Sequence, residues 1–140
     1  LSFVLDASAI VAFAYGEEMG VDLDAMYTAI KVRGAVVPQI WRLELANVLL
    51  VGCRRNRHTP ADAQGILADL AALPIEVDQQ THQRAGAEIL QLALKHELTS
   101  YDASYLELAL RLRVPLATLD RKLMQASMRE GVELFWPAIH

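Results

Sequence analysis

Five short apolar runs alternate with helix-forming segments along this 140-residue chain, and two of the runs close on an aspartate. Phe3-Val4-Leu5 ends at Asp6, and Pro115-Leu116-Ala117-Thr118-Leu119 ends at Asp120. Ala35-Val36-Val37 is stopped by Pro38, Ile75-Glu76-Val77 follows Pro74, and residues 132–135 form the last run. Runs this short, with little polar alternation, are the signature of strands buried on both faces. The segments between them have helical spacing over residues 8–15 (closed by Gly16), 20–32 (ended by Gly34), 39–53, 60–73, 81–96, 101–112 and 121–129. Thr59-Pro60 and Thr99-Ser100 are start signals, and Gly131 is a stop. Such alternation predicts a short parallel sheet flanked by helices on both faces, an α/β fold in a single domain over residues 1–140 without internal repeats. Ligands of such sheets lie beyond the carboxyl ends of the strands. The residues just after each strand are therefore the ones to inspect.

Composition narrows the field. Seventeen acids against 13 bases exclude a strongly basic nucleic-acid-coating protein. Cys53 stands alone, so an internal disulfide and a cysteine-rich zinc site are excluded. No apolar run approaches the roughly 18 residues of a membrane span, and no leader is read at the start. The expected address is cytoplasmic, with no membrane partner.

Four acids stand out. Asp6 and Asp120 fall at strand ends, where each alone also fits as a helix cap. At ~100° per residue, Glu44 falls between Val51 on one side and Val48 and Trp41 on the other, with Arg42 opposite. That puts the glutamate on an apolar face, with Asn47 its nearest local polar neighbour. A buried carboxylate costs several kcal/mol unless it is paired, protonated or metal-bound, and a distant arginine would also satisfy it. Asp102 falls beside Leu106 and Ala109 on the core-facing side of its helix, while Ser104, Glu107 and Arg111 form the polar side. Thr99 and Asp102 are also spaced as a capping-box pair. Four carboxylates in one cleft stay ionised together only around a cation. His58, His82, His96 and His140 have no paired ligand spacing, so hard oxygen donors point to Mg²⁺ or Mn²⁺. Such an ion acidifies a bound water and offsets charge in phosphoryl chemistry. Ser8 and Thr118 are placed to orient a carboxylate or a water, although Ser8 equally suits a helix end.

Phe3-Val4-Leu5-Asp6-Ala7-Ser8-Ala9, Glu44 in a long helix, Tyr101-Asp102-Ala103-Ser104-Tyr105 and Ala117-Thr118-Leu119-Asp120 occur in this order over nearly the whole chain. Together they resemble the PIN-domain ribonucleases, and among these the VapC-type toxins of bacterial toxin–antitoxin pairs. The resemblance implies Mg²⁺- or Mn²⁺-dependent hydrolysis of RNA by an endoribonuclease that inhibits translation and growth. Asp6, Glu44, Asp102 and Asp120 take the places of the acidic quartet, both catalytic and metal-holding, with Thr118 and Ser8 as accompanying hydroxyls. It also implies a homodimer and a cognate VapB-type antitoxin whose tail enters the active-site groove. The apolar surface of the first two helices and of residues 39–53 exceeds what one core needs, which fits such partners. The Arg54-Arg55-Arg57-His58 cluster is suited either to RNA phosphates or to a solvated helix end. Without the four proposed ligands the remaining acids equal the bases in number, so the net charge of −4 is that of a local anionic pocket.

Two other readings remain open. Strand-end aspartates also serve phosphoryl-accepting phosphatases and switches. Here, however, Ser8 holds the position of the phosphatases' second aspartate, only Asp6 represents the receivers' acidic pair, and Lys122 lies inside a helix. A non-catalytic interaction module would bind no Mg²⁺ and tolerate loss of all four acids.

Overall fold

The computed structural model describes residues 2–9, 15 and 22–135. The expected first helix over 8–15 lies outside them apart from a helical turn at 7–9 and Tyr15. Four strands, β1 (Phe3–Leu5), β2 (Ala35–Val37), β3 (Ile75–Val77) and β4 (Leu116–Ala117), form one parallel sheet in the order β3-β2-β1-β4. Every residue of β1 and β2 is buried. Successive strand side chains point to opposite faces, so both faces of the sheet centre are covered, as the uninterrupted apolar runs predict. At the edge strand β3, Glu76 is exposed.

This order places the topological switch point beside β1. The chain builds β2 and β3 outward on one side of β1, then returns to add β4 on the other. The crevice between the carboxyl ends of β1 and β4 is thus where a ligand belongs. It is also where Asp6 and Thr118–Asp120 emerge.

The helices follow the expected spacing, with corrected ends. The second begins at Leu23 rather than Gly20, because Asp22 caps it by accepting from the Ala25 amide at 3.0 Å; it runs Leu23–Arg33. The third spans Trp41–Arg54 and buries a stripe of Trp41, Leu45, Leu49 and Gly52. A Cβ on Gly52 would meet the His58 ring and the Tyr15 hydroxyl, so a larger residue there would displace those side chains. Thr59 opens Pro60–Ala71 with a complete capping box to Asp62. The expected helix over 81–96 is interrupted: Thr81–Arg84 and Leu90–His96 flank a π-helical turn, Ala85–Ile89. The extra residue of that turn directs Ile89 into the core and leaves Leu90 outside.

The Ser100–Leu112 helix is buried from Ala103 through Ala109 and packs on β1 and β4. Its polar side does not face solvent as its composition suggests. Ser104 and Glu107 are each 4% exposed. Ser104 donates back to the Tyr101 carbonyl, while Arg111 bonds Glu107 at 2.9 Å and both oxygens of Asp78 at 2.8 and 3.0 Å. This ion triad ties the end of β3 to the helix behind the site.

The last two predicted strands are shorter than expected. β4 stops at Ala117 because the next backbone N–H groups turn to side chains: Leu119 donates to the Ser8 hydroxyl at 2.7 Å and Asp120 to the Thr118 hydroxyl at 3.0 Å. Residues 132–135 contribute only a parallel bridge, Leu116 with Leu134, after the positive-φ turn at Gly131. The final helix, Arg121–Arg129, agrees with its predicted range.

Candidate active site

The sheet delivers Asp6 to the crevice floor. β1 ends at Leu5, and the Asp6 amide still pairs with the Ala117 carbonyl at 3.0 Å, so its backbone is fixed by β4. Its side chain is 1% exposed. One carboxylate oxygen, Oδ2, accepts from Ser8 Oγ at 2.8 Å and from Thr118 Oγ1 in a short bond. Each hydroxyl has one proton and spends it on Asp6, so the 3.2 Å Ser8–Thr118 approach is a contact between acceptors. Both hydroxyls in turn accept the backbone N–H groups of Leu119 and Asp120. Ser8 and Thr118 therefore lock β1, β4 and the Asp6 carboxylate into one arrangement. Burial pushes the Asp6 pKa up, against the lowering effect of the Thr118 and Ser8 hydroxyls and the Ser8 and Ala7 amides.

The other acids come from three helix beginnings. Asp102 lies in the first turn of Ser100–Leu112, where Thr99 caps its amide at 3.1 Å. The Asp102 pKa is raised to about 6, first by burial and then by the charges of Asp6 and Asp120, against the lowering effect of a Thr99 side-chain hydrogen bond on its carboxyl. Glu44, in the first turn of Trp41–Arg54, is half-buried rather than enclosed. Its partner is neither Asn47, which is exposed, nor an arginine, but the buried Tyr105 hydroxyl at 2.5 Å. Burial raises the Glu44 pKa, with further increments from Asp6 and Asp102. Burial and the Glu44 charge push the Tyr105 phenol far above its usual range, so it remains a donor. Asp120 caps Arg121–Arg129 through the Leu123 amide at 2.9 Å, while its charge still reaches Asp102.

Hydrogen bonds thus join Asp6, Ser8 and Thr118 directly, with the Asp120 amide on Thr118, while the charge of Asp6 reaches Glu44 and Asp102. Among the described residues no three His, Cys, Asp or Glu side chains form a ready-made metal cage. A pair of carboxylates is what Mg²⁺ ordinarily takes from a protein, keeping waters or substrate oxygens on its other positions. The donor set fits a hard cation in that mode. Sequence reasoning missed Tyr105 as the partner of Glu44. The signal was an aromatic with a polar tip three residues after Asp102, on the same helix face.

A groove of about 400 Å³ opens beside these acids, between Ala7-Ser8 and Ile40, Leu43, Glu44 and Tyr101. The basic cluster lies elsewhere in the structure, past the end of Trp41–Arg54. Arg54 and Arg55 are exposed there, and Arg57 lies over the Tyr15 ring at 3.7 Å. Among the described residues no helix is long and apolar enough to cross a membrane.

Comparison with known proteins agrees with this architecture. Residues 3–127 match the family model described as PIN domain. The chain is 29% identical over 125 residues to Ribonuclease VapC3 of Pyrobaculum aerophilum, covering 89% of this chain and 94% of that protein. The crystal structure of PAE2754 from Pyrobaculum aerophilum superposes with a TM-score of 0.68 at 24% identity, over 90% of this chain and 84% of the other, and so shares the fold.

Proposed function

This chain belongs to the PIN domain family, and from that premise we propose that it is a metal-dependent endoribonuclease, the toxin of a toxin–antitoxin pair. The observation that carries the reading is the gathering of carboxyls at the crevice: burial first, and then the Asp6 charge, raises the pKa values of both Glu44 and Asp102. A fold that gathers carboxylates at such cost has a use for a cation there.

Asp6 and Asp102 would hold Mg²⁺ or Mn²⁺ as a pair, with waters or substrate oxygens on the other positions and Glu44 and Asp120 adding negative charge near by. A bound ion of this kind supplies an acidified water and charge neutralisation at a phosphodiester. The protein's own residues prepare the place. Ser8 and Thr118 orient the Asp6 carboxylate through its Oδ2, leaving Oδ1 free of those two bonds. Tyr105 fixes Glu44 at the rim, and Thr99 fixes the backbone that carries Asp102. The RNA strand would lie in the open groove beside them. The similarity to a ribonuclease named VapC3 supports RNA as substrate and a VapB-type antitoxin as partner. Exposed Val32, Leu43 and Leu50 offer apolar surface for that partner and for a homodimer.

The test is cleavage of single-stranded RNA by the purified chain in Mg²⁺, in EDTA, and with Asp6→Asn and Asp102→Asn. Both variants and EDTA should abolish cleavage while the circular dichroism spectrum is kept. Cutting by either variant at the wild-type rate would overturn the assignment. Mapping RNA 5′ ends after brief induction identifies the cut sites.

A further inference from the structure

We propose that a second groove, continuous with the acidic crevice, is a nucleobase subsite in which Tyr101 stacks on one unpaired base of the RNA and Gln39 and His82 read its edge. The inference rests on the nuclease reading above and deepens it by naming how the substrate is held.

The groove has a volume of about 410 Å³ and shares Ile40, Leu43 and Tyr101 with the groove beside Asp6 and Glu44. That size falls within the roughly 300–1,000 Å³ of small-molecule sites. Tyr101 directly precedes Asp102 and is 58% exposed, at the open end of a helix buried from Ala103 through Ala109. Its backbone is held by the Thr99 cap and by the Ser104 hydroxyl on its carbonyl, so the ring stands on a fixed base. An exposed aromatic on a rigid element beside a phosphodiester site is the platform single-stranded nucleic acids use.

The other wall supplies polar atoms. Gln39 Oε1 accepts from His82 Nδ1 at 2.8 Å and from the His82 amide at 3.4 Å. Because the carbonyl oxygen takes both bonds, Nδ1 is the donor and Nε2 is the ring nitrogen left for a ligand. The Gln39 amide is left with its NH₂ as donor. A fixed amide donor and a fixed imidazole nitrogen, spanning 43 residues of sequence, suit the polar edge of a nucleobase. An aliphatic peptide side chain would use neither. The π-helical turn contributes Ala85 and Ile89 to the same groove, and such turns recur where a helix is reshaped for a ligand.

The experiment compares full-length wild type, Tyr101→Ala and Tyr101→Phe on one single-stranded RNA in Mg²⁺, with an abasic ribose placed in turn at each position around the cut. At one position the abasic residue should lower wild-type kcat/KM about 5- to 150-fold, the range of base–aromatic stacking. Tyr101→Ala should lose a similar factor on the intact RNA and show no further loss with the abasic RNA. Tyr101→Phe should behave as wild type. Gln39→Leu should flatten the preference among the four bases at that position only. If Tyr101→Ala cuts intact RNA like wild type, or the two losses simply multiply, the subsite is refuted while the nuclease reading stands. If wild type cuts no RNA at all, both readings fall.

Discussion

Replacing Asp102 by asparagine should make the metal-free protein more stable while it abolishes cleavage. Asp102 is held at about 6 by burial and by Asp6 and Asp120, against an ordinary value of 3.8. A folded pKa above the unfolded one means the native state binds more protons, so stability falls as pH rises from near 4 through about 6. The full displacement corresponds to about 3 kcal/mol at ~1.4 kcal/mol per unit. The group is only half-buried, so solvent screening reduces this to about 1–2 kcal/mol. Asparagine removes the buried charge but also loses the attraction of a carboxylate for a helix N-terminus, worth about 0.3–1 kcal/mol. A net gain near 1 kcal/mol remains, or roughly 3–4 °C in a domain of this size. Thermal melts in EDTA at pH 7.5 should show Asp102→Asn above wild type, with the gap closing toward pH 5 as native Asp102 protonates. Millimolar Mg²⁺ should raise the wild-type Tm by binding the native state and leave the variant nearly unmoved. An Asp102→Asn protein that melts lower than wild type in EDTA at pH 7.5, or by the same margin at both pH values, would refute the reasoning.

The hydroxyls and the ion triad can be tested in the same way. Thr118→Val keeps the shape but removes a donor to Asp6, a charge-assisted bond worth about 1.5–3 kcal/mol; Mn²⁺ affinity by calorimetry at pH 7.5 should fall about 10- to 100-fold. Arg111→Met strands Asp78 and Glu107 as neighbouring mostly buried carboxylates, a loss of about 3–5 kcal/mol in urea melts at neutral pH. Hydrogen bonds from Arg111 hold Asp78 below its usual carboxylate range, so its contribution is present above the unfolded pKa and disappears as pH falls. The Arg111→Met penalty should shrink below pH ~4.

The order of strands and helices was legible because it rests on local patterns. Phe3-Val4-Leu5 and Ala35-Val36-Val37 have no polar face to expose, and the Thr59-Pro60 start carries its own cap chemistry. The misread ends have long-range causes. β4 is cut short by Ser8, 111 residues away from the Leu119 amide that it accepts. Nothing local reveals that Glu107 would be buried, because its burial is permitted by Arg111, which Asp78 meets across 33 residues of sequence. The π-helical turn replaces a helix whose composition is unremarkable, with Gly86 its one weak point.

For the acids, a structural role and the proposed functional one do not compete. Asp120 caps a helix and still raises the pKa of Asp102. Thr99 caps the helix that carries Asp102. A carboxylate whose backbone or second oxygen is already committed has few orientations left, which is what a cation site needs from its ligands. Glu44 fits the same logic from the other side: its single short bond to Tyr105 fixes one oxygen and leaves the other for the crevice. Capping motifs at two helix starts, Thr99 and Asp120, and the uncapped first turn that carries Glu44, arranged around one strand end, thus gather like charges that no isolated helix would bring together. Finding strand-end and helix-start acids in one α/β chain is therefore stronger ground for a cation site than any one of them read alone.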